Sequence, residues 1–140
     1  MTKKKEKSLK KRLYNKCWKL MSLYSRLKFA DNNGYVSCIT CGQVKHYKEM
    51  NAGHLKHGVL DYDHFNIAPQ CVGCNKWNSG RLDRYSEWLI KTYGLAEFEN
   101  LCQRASMAKK GEPYSTEDLE KIAIDLTLKI AELNLTNEGI

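Results

Sequence analysis

Cys38 and Cys41, then Cys71 and Cys74, form two Cys-x-x-Cys pairs with 29 residues between them. Four thiolates in two close pairs are the donor set of a tetrahedral zinc, each pair closing a tight knuckle. Four Cys fill the shell, so such a zinc is structural and cannot polarise a substrate. Chemistry on a substrate needs a second group of residues, and the same segment supplies candidates. His54 lies 13 residues after Cys41 and 17 before Cys71, Asn66 lies five before Cys71, and Asn75 directly follows Cys74. A neutral imidazole takes a proton near neutral pH, and a carboxamide oxygen suits a hard cation. Against this stand plainer roles: a strand-end histidine for His54, a turn residue for Asn66 and a helix cap for Asn75.

In this setting the three residues resemble the His-Me finger nucleases, also called HNH or ββα-metal nucleases. Their pattern is a His ending the first strand, an Asn in the loop and a His or Asn opening the helix, here His54, Asn66 and Asn75. Endonuclease VII-type junction resolvases are similar in their zinc pairs and final Asn. A closer resemblance is to the phage recombination protein family NinG, or Rap. It rests on Cys38-x-x-Cys41-Gly42, Ala52-Gly53-His54, Asn66 with Gln70-Cys71-x-x-Cys74-Asn75, Ser79-Gly80, Tyr85 and Tyr93-Gly94, within residues 36–94.

The resemblance implies a zinc-bound treble-clef ββα core and a Mg²⁺-dependent endonuclease acting on branched DNA, Holliday junctions included. In that scheme His54 is the general base and the Asn66 carbonyl fixes its tautomer. Asn75 holds the metal with help from Asn78, and Lys76 or Arg81 clamps phosphate oxygens. Many members of the superfamily carry an Asp before the His, where this chain has Gly53. The cation is then held by Asn75 and water, or Asp61 or Asp63 reaches in, with His57 and His64 as further donors. The rival from another class is a non-catalytic zinc-ribbon module that binds DNA or recruits partners.

The elements that must position these residues show in the hydrophobic periodicity. Leu9, Leu13, Cys17, Leu20, Met21, Tyr24 and Leu27 recur at spacings of three and four, predicting an amphipathic helix. Lys10, Lys11, Arg12, Lys16 and Lys19 mostly take its other positions and are the expected DNA contacts. Residues 1–7 are expected to fray, and Asp31-Asn32-Asn33-Gly34 stops the helix. Short strands are expected over Tyr35–Ile39 and around Tyr47–Leu55, with a polar loop over Gly58–Phe65. A helix runs from Trp77 to Tyr93, with Trp77, Tyr85 and Trp88 in its core. A second helix covers Leu95–Lys110 before the Gly111-Glu112-Pro113 break. A third follows a Ser115/Asp118 capping box, with fraying from Asn134. The division is a basic helical arm (1–34), a nuclease core (35–94) and a helical extension (95–140). The fold class is α+β, mostly α.

Charge separates these parts. Residues 1–30 hold eleven Lys/Arg against one acid, net +10, and residues 31–140 hold twelve against fifteen, net −3. A basic arm on a zinc-site domain points to a polyanion, most simply nucleic acid. Hydrophobic residues make up 42%, enough for a small core that a zinc would reinforce. No run of 18 apolar residues predicts a membrane span, and the charged N-terminus lacks an apolar h-region. The host cytoplasm is the expected setting, where paired Cys motifs bind metal rather than form disulfides. Cys17 and Cys102 read as small buried hydrophobes. Cutting a symmetric junction calls for two sites and hence a homodimer, and other phage recombination proteins are possible partners.

Overall fold

The computed structural model of the chain describes residues 2–111 and 113–138. Helix α1 (Lys3–Leu27) starts where Thr2 accepts a hydrogen bond from the Lys5 N–H at 3.3 Å. The Lys-rich start is therefore helical rather than frayed. Lys and Glu are good helix formers, and the Thr2 hydroxyl satisfies an otherwise orphaned donor. The helix ends at a turn in which Asp31 Oδ1 accepts from the N–H groups of Asn33 and Tyr35, both at 2.9 Å.

Two antiparallel hairpins follow. Strand β1 (Tyr35–Ser37) pairs with β2 (Val44–His46), and their connection carries Cys38 and Cys41. The first strand is shorter than expected because the chain turns into the knuckle. Cys38 N–H goes to the Gln43 carbonyl (2.8 Å), and Ile39 N–H crosses to Pro69 of the second hairpin (3.1 Å). After one short helical turn (Tyr47–Glu49), β3 (Asn51–His54) pairs with β4 (Ile67–Gln70), with His54 opposite Ile67 and Gly53 opposite Ala68.

The β3–β4 hairpin is the middle layer. Successive strand residues point to opposite faces, and both faces are covered. Ile67 packs with Cys17 and Met21 of α1 and with Leu119, Ala123 and Leu126 of the last helix. Ala68 packs on the other side with Leu55, Tyr85, Leu89 and Leu101. A third cluster, Val36, Met50, Cys38, Cys71 and Cys74, forms the cysteine end.

Beyond β4 the chain makes a wide turn of π-helical pitch (Gly73–Trp77), then α2 (Leu82–Tyr93) and α3 (Leu95–Met107). The expected helix from Trp77 thus begins five residues later. Gly80 N–H returns to the Cys74 carbonyl (2.8 Å) and the Asn78 side chain to the Gly73 carbonyl (2.8 Å), which closes the turn on itself. Helix α3 stops at Met107, short of Lys110, and Glu112 lies outside the described residues.

Helix α4 (Thr116–Glu138) opens with the expected capping box. Asp118 N–H donates to Ser115 Oγ (3.1 Å) and Ser115 N–H to Asp118 Oδ2 (3.0 Å). It runs on through the stretch expected to fray, since no breaker precedes Gly139, and residues 139–140 lie outside the described residues. The result is α+β and mostly helical. Among the described residues no helix is long and apolar enough to cross a membrane.

Candidate functional site

The sulfurs of Cys38, Cys41, Cys71 and Cys74 all lie within 4.8 Å of one another. Cys41 and Cys71 are 3.7 Å apart, and tetrahedral Zn–S bonds of about 2.3 Å would set sulfurs about 3.8 Å apart. Donor set and spacing both fit a zinc ion. The crowding shows at the thiols of Cys38 and Cys41. Burial opposes ionisation of Cys38, but hydrogen bonds from the Thr40 hydroxyl and from the backbone of Cys71, Thr40 and Cys41 bring it down to about 6. At Cys41 a backbone bond from Gln43 favours the thiolate, yet burial and the thiols of Cys38, Cys71 and Cys74 push it up to about 12. Four thiolates this close need a cation between them.

His54 ends β3 on the face that looks toward α1. Its Nε2 is 3.0 Å from Asp61 Oδ1, and its ring stacks on Trp18 of α1, centroids 4.9 Å apart and planes 21° off parallel. About a sixth of the His54 side chain (17%) stays exposed, so water can reach it. Tyr14, one helical turn before Trp18, donates its hydroxyl to Asp61 Oδ2 at 2.5 Å. The hydrogen bond from His54 holds the Asp61 carboxyl below its ordinary range, the Tyr14 bond adds to this, and burial opposes both. Burial and Asp61 push the Tyr14 phenol upward, which keeps it a donor. The His57 ring stands 5.6 Å from that of His54, and burial, then the neighbouring His54, lowers its tendency to protonate.

Asn66 is fully buried and braces the loop that carries Asp61. Its Oδ1 accepts from Lys56 N–H (2.7 Å), and its Nδ2 donates to the carbonyls of Lys56 (3.0 Å), Leu60 (3.1 Å) and Val59 (3.3 Å). Its own carbonyl accepts from Leu55 N–H (3.0 Å) and the Tyr85 hydroxyl (3.2 Å). The group found at the His54 ring is therefore Asp61 rather than the Asn66 carbonyl. Asp63 is committed elsewhere, because both its oxygens meet Arg104, at 2.8 and 3.2 Å. That ion pair takes Asp63 out of the cation role expected for it. His64 faces Tyr24 and Lys129 between α1 and α4 and does not join the His54 group.

Gly53 has a steric explanation. A Cβ there would stand 1.9 Å from Gln70 Oε1, so the space of a carboxylate at this position is filled. Gln70 is fully buried, and its Nε2 donates to Gly80 O (2.7 Å) and Thr40 Oγ1 (3.1 Å). One side chain thus ties the first knuckle, β3 and the segment after the second knuckle together.

That segment carries the remaining candidates. Asn75 is half-buried in the wide turn, Lys76 and Asn78 are exposed, and Trp77 is 81% exposed. Helical spacing assigns Trp77 to the core, but the turn ends before α2 begins and leaves its ring in solvent. Ser79, Gly80 and Arg81 take positive φ in succession (53°, 83° and 44°). Asn78, Ser79, Arg81 and Arg84 line an open cleft of about 400 Å³ with the carboxylate of Asp83. The Arg81 Nε is buried with no hydrogen-bond partner. The His57 ring also stands near this segment, since its Nε2 would lie 3.9 Å from a Cβ on Gly80.

On α1, Lys11, Arg12, Lys16 and Lys19 are exposed. Lys10 is half-buried, because it shares the inward stripe of Tyr14 and Cys17. The sequence reading misses Tyr14, Trp18 and Asp83, and it names Gln70 within a motif without giving it a role. Only the i, i+4 spacing of Tyr14 and Trp18 offers a signal for the first two.

A family model described as "Bacteriophage Lambda NinG protein" matches residues 1–135. The chain belongs to the NinG family. Protein ninG of Salmonella phage P22 is 30% identical to it over 100 residues, which cover 69% of this chain and 47% of that protein. The chain thus spans about half the length of the curated relative it matches. No solved structure matches it significantly. The NinG match extends past residues 36–94 to take in all of α1 and most of α4.

Stripping metal with a chelator is expected to lower the melting temperature by on the order of 10 °C or more. Metal analysis with thermal denaturation checks this, and an unchanged melt in metal-free protein would remove the zinc assignment. Gly53→Asp should destabilise the fold by about 1–3 kcal/mol, as overpacking does. Gln70→Ala in the same chain should recover part of that loss in urea titrations, which an unrelated cause would not allow.

Proposed function

We propose that the protein is a metal-dependent DNA endonuclease of phage recombination, with residues 35–94 as a His-Me finger core of treble-clef type. The observation that carries the proposal is His54 at the end of β3, water-accessible and held by a carboxylate, in a NinG-family chain that also holds the four-cysteine cluster. Hydrolysis would proceed by attack of water on phosphorus with cleavage of the P–O3′ bond. His54 takes the proton from the water, while Arg81, Arg84 and Lys76 face phosphate oxygens. Arg81 and Arg84 both line the open cleft. A Mg²⁺ held by the amide oxygens of Asn75 and Asn78, with Asp83 near the second, would supply positive charge at the departing oxygen. Asn78 spends only its Nδ2 on Gly73, so its Oδ1 keeps that capacity.

DNA is the proposed partner. The exposed cations of α1 suit phosphates of any sequence. Trp77, exposed beside Lys76, suits stacking on an unpaired base of the kind branch points present. Branched DNA, Holliday junctions included, is therefore the proposed substrate, with a homodimer supplying two sites. Ile124 and Leu128, exposed on α4, are apolar residues such a dimer could use. Action in the host cytoplasm alongside other phage recombination proteins belongs to the same proposal. A second reading, a non-catalytic zinc-ribbon DNA-binding or adaptor module, is favoured by one observation: Gln70 fills the space beside Gly53 where a metal-binding carboxylate would stand.

Incubation with four-way junctions and with linear duplex, with and without Mg²⁺, separates the two. The endonuclease reading expects Mg²⁺-dependent nicking that His54→Ala lowers by roughly 10²–10⁴-fold, the usual scale of a general base. Binding without nicking of any DNA would leave the adaptor reading. Deleting residues 1–12 removes seven Lys/Arg. It should weaken DNA binding and flatten its salt dependence by about 0.9 in log–log slope for each phosphate the shortened chain no longer neutralises. An unchanged slope would take the helix out of the DNA-binding role.

A further inference from the structure

We infer that Asp61 is the positioning residue for His54, fixing the Nε2–H tautomer so that Nδ1 is the nitrogen that takes the proton. The inference rests on the endonuclease reading for its consequence, but its geometry stands independently. An ionised carboxylate has only acceptors, so an oxygen 3.0 Å from Nε2 requires that nitrogen to carry hydrogen. In a neutral imidazole the other nitrogen is then the acceptor. Asp61 is itself fixed on its second oxygen by Tyr14, whose ring packs against Tyr62 and Tyr114.

Helix α1 thereby contributes to the site twice. Tyr14 holds the carboxylate, and Trp18, one turn on, lies flat against the imidazole and limits its rotation. The groups facing the pair are Trp18 and Tyr14 from α1, His57 from the loop after β3, and Tyr62 and Tyr114 behind Tyr14. Arg12, Lys16 and Lys19 point the other way into solvent, while Lys11, also exposed, shares the face of Tyr14 and Trp18 at i, i+3, i+7 spacing. The same helix carries the charge suited to phosphates and the two aromatic side chains that set the base.

Ring ¹⁵N NMR of the full, zinc-loaded chain, recorded where the His54 ring is neutral, tests the tautomer without any need for activity. The inference expects wild type as Nε2–H and Asp61→Ala as a mixture or as Nδ1–H. Wild type as Nδ1–H, or a tautomer ratio that Asp61→Ala leaves unchanged, overturns it. If the Ala variant loses zinc or melts early, Asp61→Asn, of the same shape, takes its place with the same expected loss of a single tautomer. Nicking assays supply the second readout. Asp61→Ala should lower kcat by at least 10-fold with little change in KM. Combined with His54→Ala it should do no further harm, because the two act as one unit. Additive losses would mark Asp61 as merely structural. If wild type shows the Nε2–H tautomer but nicks no DNA, the endonuclease reading fails while the Asp61–His54 assignment stands.

Discussion

Four sulfurs within 4.8 Å of one another cannot all ionise unless a cation offsets their repulsion. The folded positions of two distant stretches follow from that condition. One sulfur pair leaves β1 and the other leaves β4, so the cluster joins the two hairpins at the place where the Ile39–Pro69 backbone bond crosses between them. Gln70, one residue before Cys71, carries the constraint into the polar layer. It reaches Thr40 within the first knuckle, crowds Gly53 and holds Gly80. Gly53, one residue before His54, and Gly80, which closes the turn that bears Asn75, therefore meet the same side chain.

How much of this the residues announce depends on range. Short spacings are legible: the Cys pairs, the Ser115–Asp118 box, and His54 at the end of a strand all follow from local rules. So does the apolar stripe of α1, which falls where the three-and-four spacing puts it, with Cys17 and Met21 inward. Pairings between distant segments are not legible. Tyr14 and Asp61 are 47 residues apart, and nothing in either neighbourhood signals the other. Trp77 looks like the start of a helix because Tyr85, Trp88 and Leu89 continue its spacing. The hydrogen bonds that close the wide turn outweigh that pattern. Gly53 looks like a missing ligand, whereas its neighbour across the hairpin leaves no room for a side chain.

The first helix is more than its charge suggests. Read by charge alone it is an arm. Its inward face, however, belongs to the main core with Ile67 and Leu126, and its aromatic residues line the His54 group. The NinG match includes this helix, in keeping with a helix that is built into the domain.

Three successive left-handed residues, Ser79, Gly80 and Arg81, close the wide turn. Only the middle one is the residue type that accepts this backbone freely. Each of the others costs about 1–2 kcal/mol relative to a right-handed conformation. Ser79 and Arg81 therefore hold their conformation against the backbone's own preference, and the Gly80–Cys74 and Gln70–Gly80 hydrogen bonds over-determine the bend. The turn behaves as a set spring, its strain clamped by the cysteine end of the molecule through Cys74.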